Sequence, residues 1–193
     1  MGRPREFDTV EALTAAMQVF WLNGYESTSM VDLMAAMDLH KGSIYKAFGD
    51  KHQLFIAALT HYMTYGMDHL KQLFEEVESP KEAVGSFMRM ALSDCTCGPV
   101  AKGCFMMNSV VELAPHDKEV KELIGAFMDS ARKNVSMAIE RGQALGEFRT
   151  DKTADELASY VLYVKAGLLT AGKMQLVSQD PFAAAEMALL TLE

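Results

Sequence analysis

Apolar residues return every three or four positions along almost the whole of this 193-residue chain, and that period describes helices with one face turned inwards. Phe7, Val10, Leu13, Met17, Phe20 and Trp21 set the pattern at the start. Asn23 and Gly24 tolerate the left-handed backbone that ends a helix, so the first helix is predicted to stop there. Thr28 and Ser29 then offer N-caps for a short helix carrying Val31, Leu33 and Met34, with Asp32 in the first turn where the helix dipole favours an acid. Asp38 accepts the positive φ of a tight turn, and a second short helix is predicted from about His40 to Phe48. Two short helices joined this way form a helix-turn-helix.

Asp50 opens a long helix in a capping-box pattern with Gln53, and Leu54 through Phe74 keep the period until Ser79 and Pro80. Ser79, Pro80 and Glu82 combine an N-cap, a proline at the first helical position and a capping-box acid. Further helices are predicted to about Asp94, from Cys104 to Leu113, from Asp117 to Leu145 with Gly146 as its stop, from Thr153 to Met174, and from Pro181 to Glu193. Strand-like alternation is confined to Glu147 and Phe148 at most. Without repeats or low-complexity linkers, the chain is predicted to be all-α: an N-terminal three-helix helix-turn-helix domain, 1–50, then a six-helix domain, 51–193.

Half of the residues are hydrophobic, enough to build a core and to exclude disorder. No apolar run reaches the roughly 20 residues of a membrane span, and residues 1–8 lack a signal-peptide core, so the expectation is a cytoplasmic protein without a membrane partner. Cys95, Cys97 and Cys104 are odd in number and crowded, a poor disulfide framework. The net charge of −8 argues against nucleic acid, and the first 52 residues hold five basic against seven acidic side chains. Any DNA function must therefore rest on where Arg3, Arg5, Lys41, Lys46 and Lys51 sit.

The stretch GYESTSMVDLMAAMDLHKGSIYKAFGDKHQLF closely resembles the N-terminal DNA-binding domain of the TetR family of transcriptional regulators. The resemblance implies a homodimer on a palindromic double-stranded operator, with the second short helix in the major groove. Its expected DNA contacts are His40, Lys41, Gly42, Ser43, Tyr45 and Lys46. Gly42 lets the helix backbone press against DNA, Ile44 and Phe48 anchor it, and Tyr45 offers a ring and a hydroxyl. Lys51, in the first turn of the following helix, looks like the family's phosphate clamp, aided by free N–H groups, and Thr28 has a hydroxyl for another phosphate. Arg3 and Arg5, flanking Pro4, are placed to reach a minor groove. The chain departs from the family in two places: Asp38 stands where glycine is usual, and His40 where a serine N-cap is usual. Both changes are read as altering sequence preference.

Beyond Lys51 the resemblance rests on the helical layout and the GCFMMNSVVEL stretch. It implies a small-molecule effector bound within 51–193, whose preference for one of two forms releases the DNA. Met63, Met67, Met88, Phe105, Met107, Cys104 and Asn108 are the expected effector contacts, with Met90 and Met106 beside them, a polarisable lining that equally serves ordinary core packing. Cys104, at a helix start near Lys102, is a candidate for sensing oxidants or electrophiles, with Cys95 and Cys97 as resolving partners. A soft metal on these cysteines and His116 is the weaker reading, and no metal or cofactor is expected. His61, Tyr65 and His69 share a helix face that is read as solvent-facing or inter-helical. Small residues in the last two helices, among them Ala158, Ala166, Gly167, Ala171, Gly172, Ala183, Ala184 and Ala188, suit a four-helix dimer interface. The rivals are an enzyme, for which no catalytic motif appears, and a helical carrier without DNA function.

Overall fold

The computed structural model describes residues 7–90, 92, 102–174 and 180–193, and among them are nine helices and no strand. They are α1 (Thr9–Asn23), α2 (Met30–Met37), α3 (Lys41–Phe48), α4 (Lys51–Glu76), α5 (Pro80–Arg89), α6 (Phe105–Glu112), α7 (Lys118–Ala144), α8 (Ala154–Gly172) and α9 (Pro181–Leu190). None is long and apolar enough to cross a membrane.

Local chemistry sets most of the boundaries. Asp8 caps α1 by accepting from the amides of Val10 and Glu11, and Gly24 ends it at φ 80°. Ser29 and Asp32 form a reciprocal capping box at the start of α2, and Thr153 and Glu156 do the same for α8. At Asp50 only half of the expected box exists: its carboxylate accepts from the Gln53 amide, while the Gln53 side chain turns away to Glu119. The helix predicted to run to about Asp94 is broken at Met90; Leu92 is helical again, and residues 91, 93 and 94 lie outside the described residues. Met90 is extended, at φ −56° and ψ 133°, because the ammonium of Lys165 on α8 takes the carbonyl oxygens of Phe87 and Met90. Glu147 and Phe148 form a bend and no strand; Phe148 is buried against Gly142, and Glu147 accepts from Ser79 and Lys81 at the start of α5.

In the N-terminal head, α1 packs against α2 and α4, and α3 leans on both α2 and α4. Its buried side chains are Ala12, Ala16, Met17, Phe20, Leu33, Met37 and Ile44, closed from behind by Leu54 and Phe55 of α4. Val10, expected in the buried stripe of α1, is exposed, and the alanines take its place because they let α1 approach its neighbours closely. Behind the head, α7 runs alongside α8, α5 and α4, and α9 closes over α5 and α8.

Candidate functional site

Helix α3 is held by the fully buried Ile44 and by Phe48, which is partly buried against the same core. Asp38 makes the turn into it, left-handed at φ 49° and ψ 45°, and is the only non-glycine with positive φ among the described residues. His40 caps α3 with its backbone but makes no side-chain capping bond, so its imidazole stays outside the helix. Held on that one side, α3 exposes Lys41, Gly42, Tyr45 and Lys46, with His40 at its cap, and half-exposes Ser43. A Cβ at Gly42 would meet nothing within 4 Å inside the protein, so packing does not require the glycine. The Lys41 ammonium lies 5.5 Å from the Tyr45 ring centre, and that of Lys51 lies 4.4 Å from the Tyr25 ring. Burial, followed by the charges of Glu26, Asp50 and Asp117, pushes the Tyr25 phenol above its ordinary range.

Thr28 is corrected. It is 1% exposed, and its hydroxyl donates to the Gly24 carbonyl at 2.6 Å, so it holds the α1–α2 turn together and offers nothing to a phosphate. Arg3 and Arg5 lie outside the described residues, as do Cys95 and Cys97.

A cavity of about 630 Å³ opens behind the head, within the range of sites for small molecules. Met63, Met90, Met106, Met107 and Cys104 line it, as do Phe87 and Leu162. Cys104 is buried at the start of α6, with its Sγ 3.4 Å from the Tyr62 hydroxyl. Lys102, expected to act on that thiol, instead donates to Gln18 at 2.7 Å and lies over the Trp21 ring. Four expected lining residues face elsewhere. Met67 and Met88 are packed into the core; Phe105 is sealed among the rings of Trp21, Phe55 and Tyr62; and Asn108 bonds to Lys102 and Lys173. His61, Tyr65 and His69 do line the cavity, His61 at 3.3 Å from Thr14. The sequence reading missed the contribution of α1, whose Thr14, Met17, Gln18 and Trp21 form one wall. The spacing of those four marks one helix face, which was the available signal.

Besides the packing of α1 and α3 on α4, bonds around α6 tie the front of the molecule to the rest. The Trp21 indole donates to the Gly103 carbonyl at 3.0 Å, and His52 meets Asp117 at 2.7 Å. The Val120 amide and then His52 hold the Asp117 carboxyl below the ordinary carboxylate range, outweighing its partial burial. Glu112, at the end of α6, accepts from the amides of Tyr25 and Glu26 at 3.0 and 2.9 Å.

Along α8 and α9, Ala158, Ala188 and Leu189 are spent on packing within the chain. Tyr163, Gly167, Met187, Leu190, Ala183 and Ala184 remain exposed.

Residues 12–58 match the model for bacterial regulatory proteins of the tetR family, and residues 80–188 match that for the tetracyclin repressor-like C-terminal domain. The HTH-type transcriptional repressor ComR of Escherichia coli is 30% identical over 86% of this chain and 80% of its own length. The uncharacterized HTH-type regulator YezE of Bacillus subtilis is 31% identical over 83% and 84%. Among solved structures, a cysteine mutant of the TetR family regulator CifR, complexed with double-strand operator DNA, superposes with a TM-score of 0.85 at 30% identity, covering 99% of this chain and all of that one.

Proposed function

Because the chain belongs to the TetR family of bacterial regulatory proteins, we propose that two copies seat their α3 helices in successive major grooves of a palindromic operator and let go when the cavity is occupied. The chain is a helix-turn-helix transcriptional regulator, as are the relatives it matches, which makes the enzyme reading the weaker one. The observation that carries the DNA reading is the exposure of His40, Lys41, Gly42, Tyr45 and Lys46 on a helix anchored from the other side by Ile44 and Phe48. Lys51, in the first turn of α4, supplies a cation at that helix N-terminus for the adjoining phosphate. We take residues 1–50 as the reading head and 51–193 as the effector and dimerisation domain. The exposed apolar faces of α8 and α9 make the pairing surface that sets the two heads about 34 to 36 Å apart, one helical turn of DNA.

The effector is a small, largely apolar molecule seated among Met63, Met107 and Cys104, and the protein acts as a repressor. A second route is favoured by the placement of the Cys104 sulfur on the cavity wall beside the Tyr62 hydroxyl: an electrophile entering the cavity modifies the thiol. Selection of bound DNA followed by affinity measurements at several salt concentrations tests the reading. Affinity for a palindrome should fall steeply with salt, whereas a carrier or enzyme would select no site. Peptide mass spectrometry after quinone treatment tests the second route, which is overturned if Cys104 stays unmodified at concentrations that release the operator.

A further inference from the structure

Glu112 occupies an unfavourable place by local rules. It stands in the last turn of α6, where the helix dipole repels an anion, and no basic residue accompanies it there. A local conflict of this kind points to a tertiary use. Here its two carboxylate oxygens accept separately from the amides of Tyr25 and Glu26, 87 and 86 residues away, in the turn between α1 and α2. Those are charge-assisted bonds to backbone, so they fix the path of the chain as it leaves α1. Gly24 is matched to this grip: its φ is 80°, and a Cβ there would lie 2.9 Å from the nearer carboxylate oxygen.

The other end of α6 faces the cavity. Cys104 caps the helix, and Met106 and Met107 line the hollow. At the helical rise of 1.5 Å per residue, Met106 and Glu112 stand about 9 Å apart along one short rod. A rod of two turns transmits a displacement at one end to the other, because its hydrogen bonds leave it little freedom to bend.

We propose that Glu112 is the positioning residue through which the cavity controls the reading head: whatever displaces the Cys104 end of α6 withdraws the carboxylate from Tyr25 and Glu26 and frees the turn that leads into α2. This link acts through α1 and the turn, beside any movement carried by α4. The proposal rests on the regulator reading above, but its first test needs no DNA. The experiment is amide hydrogen exchange, read by mass spectrometry, on the full chain carrying Cys95→Ser and Cys97→Ser, with and without N-ethylmaleimide on Cys104. In that background the Tyr25 and Glu26 amides should exchange at least about tenfold faster in Glu112→Gln, whose side-chain nitrogen faces one amide donor to donor. Alkylation of Cys104 should speed the same two amides, and should add nothing in Glu112→Gln. If Glu112→Gln does not fold, Glu112→Asp keeps the charge while its shorter side chain reaches one amide at most, and the same comparison applies. Equal exchange at these amides in variant and parent, or an undiminished response to alkylation in the variant, overturns the proposal.

The second arm uses a selected operator. The ratio of affinities before and after alkylation should collapse towards one in Glu112→Gln, whereas Lys51→Ala should lower both affinities and leave the ratio alone. A ratio kept intact in Glu112→Gln also overturns the link. A parent protein whose DNA binding ignores alkylation, while the two amides still respond, condemns the effector reading and leaves the grip of Glu112 standing.

Discussion

In the N-terminal head, Leu33 and Ile44 are buried to within 1%; behind them, five helices, α4 to α8, together with the rear face of α1, line a hollow of about 630 Å³. The first region turns His40, Lys41, Tyr45 and Lys46 outwards, where on the proposed reading they meet DNA, while Leu33 and Ile44 serve its packing. The second turns Met63, Met107 and Cys104 inwards, so that on the same reading they would belong at once to its packing and to ligand binding. Separating these duties means that the head can change its DNA preference without changing its core. In the cavity domain, each change of ligand preference is also a change of packing.

The contrast is sharpest in the response to truncation. Leu33→Ala should lower the unfolding free energy by about 2–5 kcal/mol, since a sealed site cannot collapse around the missing atoms. Met107→Ala, half-buried beside existing empty space, should cost less than about 1 kcal/mol. Urea unfolding of both variants measures this, and equal losses would erase the distinction between filled and hollow regions. The outward face is examined by Lys51→Ala. It should weaken binding to all DNA sequences alike and reduce the salt slope by about 1, while stability shifts by no more than about 0.5 kcal/mol. A loss confined to one sequence would instead make Lys51 a base reader.

The smallest effect concerns the local caps. The Ser29 hydroxyl and amide hold the Asp32 carboxyl below the ordinary carboxylate range, and the Thr153 amide, followed by its hydroxyl, does the same for Glu156. Carboxyls depressed in the folded state contribute stability above the unfolded range, near pH 4, and lose it as pH falls through their folded values. Thermal melts should therefore shift downwards below about pH 4, and Asp32→Asn should flatten part of that slope. Superimposable acid profiles would mean that the capping box at α2 adds nothing.

The head was almost fully legible because its determinants are near neighbours. Ser29 with Asp32, Asp38 in its turn and Ile44 as anchor are separated by a few residues each, and chain-local chemistry decides them. Thr28 misled for the opposite reason: two hydroxyl residues stand side by side, and only the fold decides that Ser29 caps while Thr28 turns back to Gly24. In the cavity domain a methionine stripe is visible in the sequence, but which methionines face the hollow depends on partners far along the chain. Met90 lines it because Lys165, 75 residues later, ends α5 there, whereas Met88 is sealed in the core. The wall contributed by α1 could not be read by assigning that helix wholly to the head. The grip of Glu112 on residues 25 and 26 leaves no trace in any short window of sequence.

Trp21 is the single tryptophan of the chain, and its indole stands on the cavity wall with its N–H on the Gly103 carbonyl. Nature has thereby supplied a fluorophore at the seam between the N-terminal head and the cavity. A guest that touches the ring alters its emission by contact, and a shift of the segment before α6 alters it by breaking the bond to Gly103. Compounds can thus be screened by unlabelled fluorescence titration of the native chain.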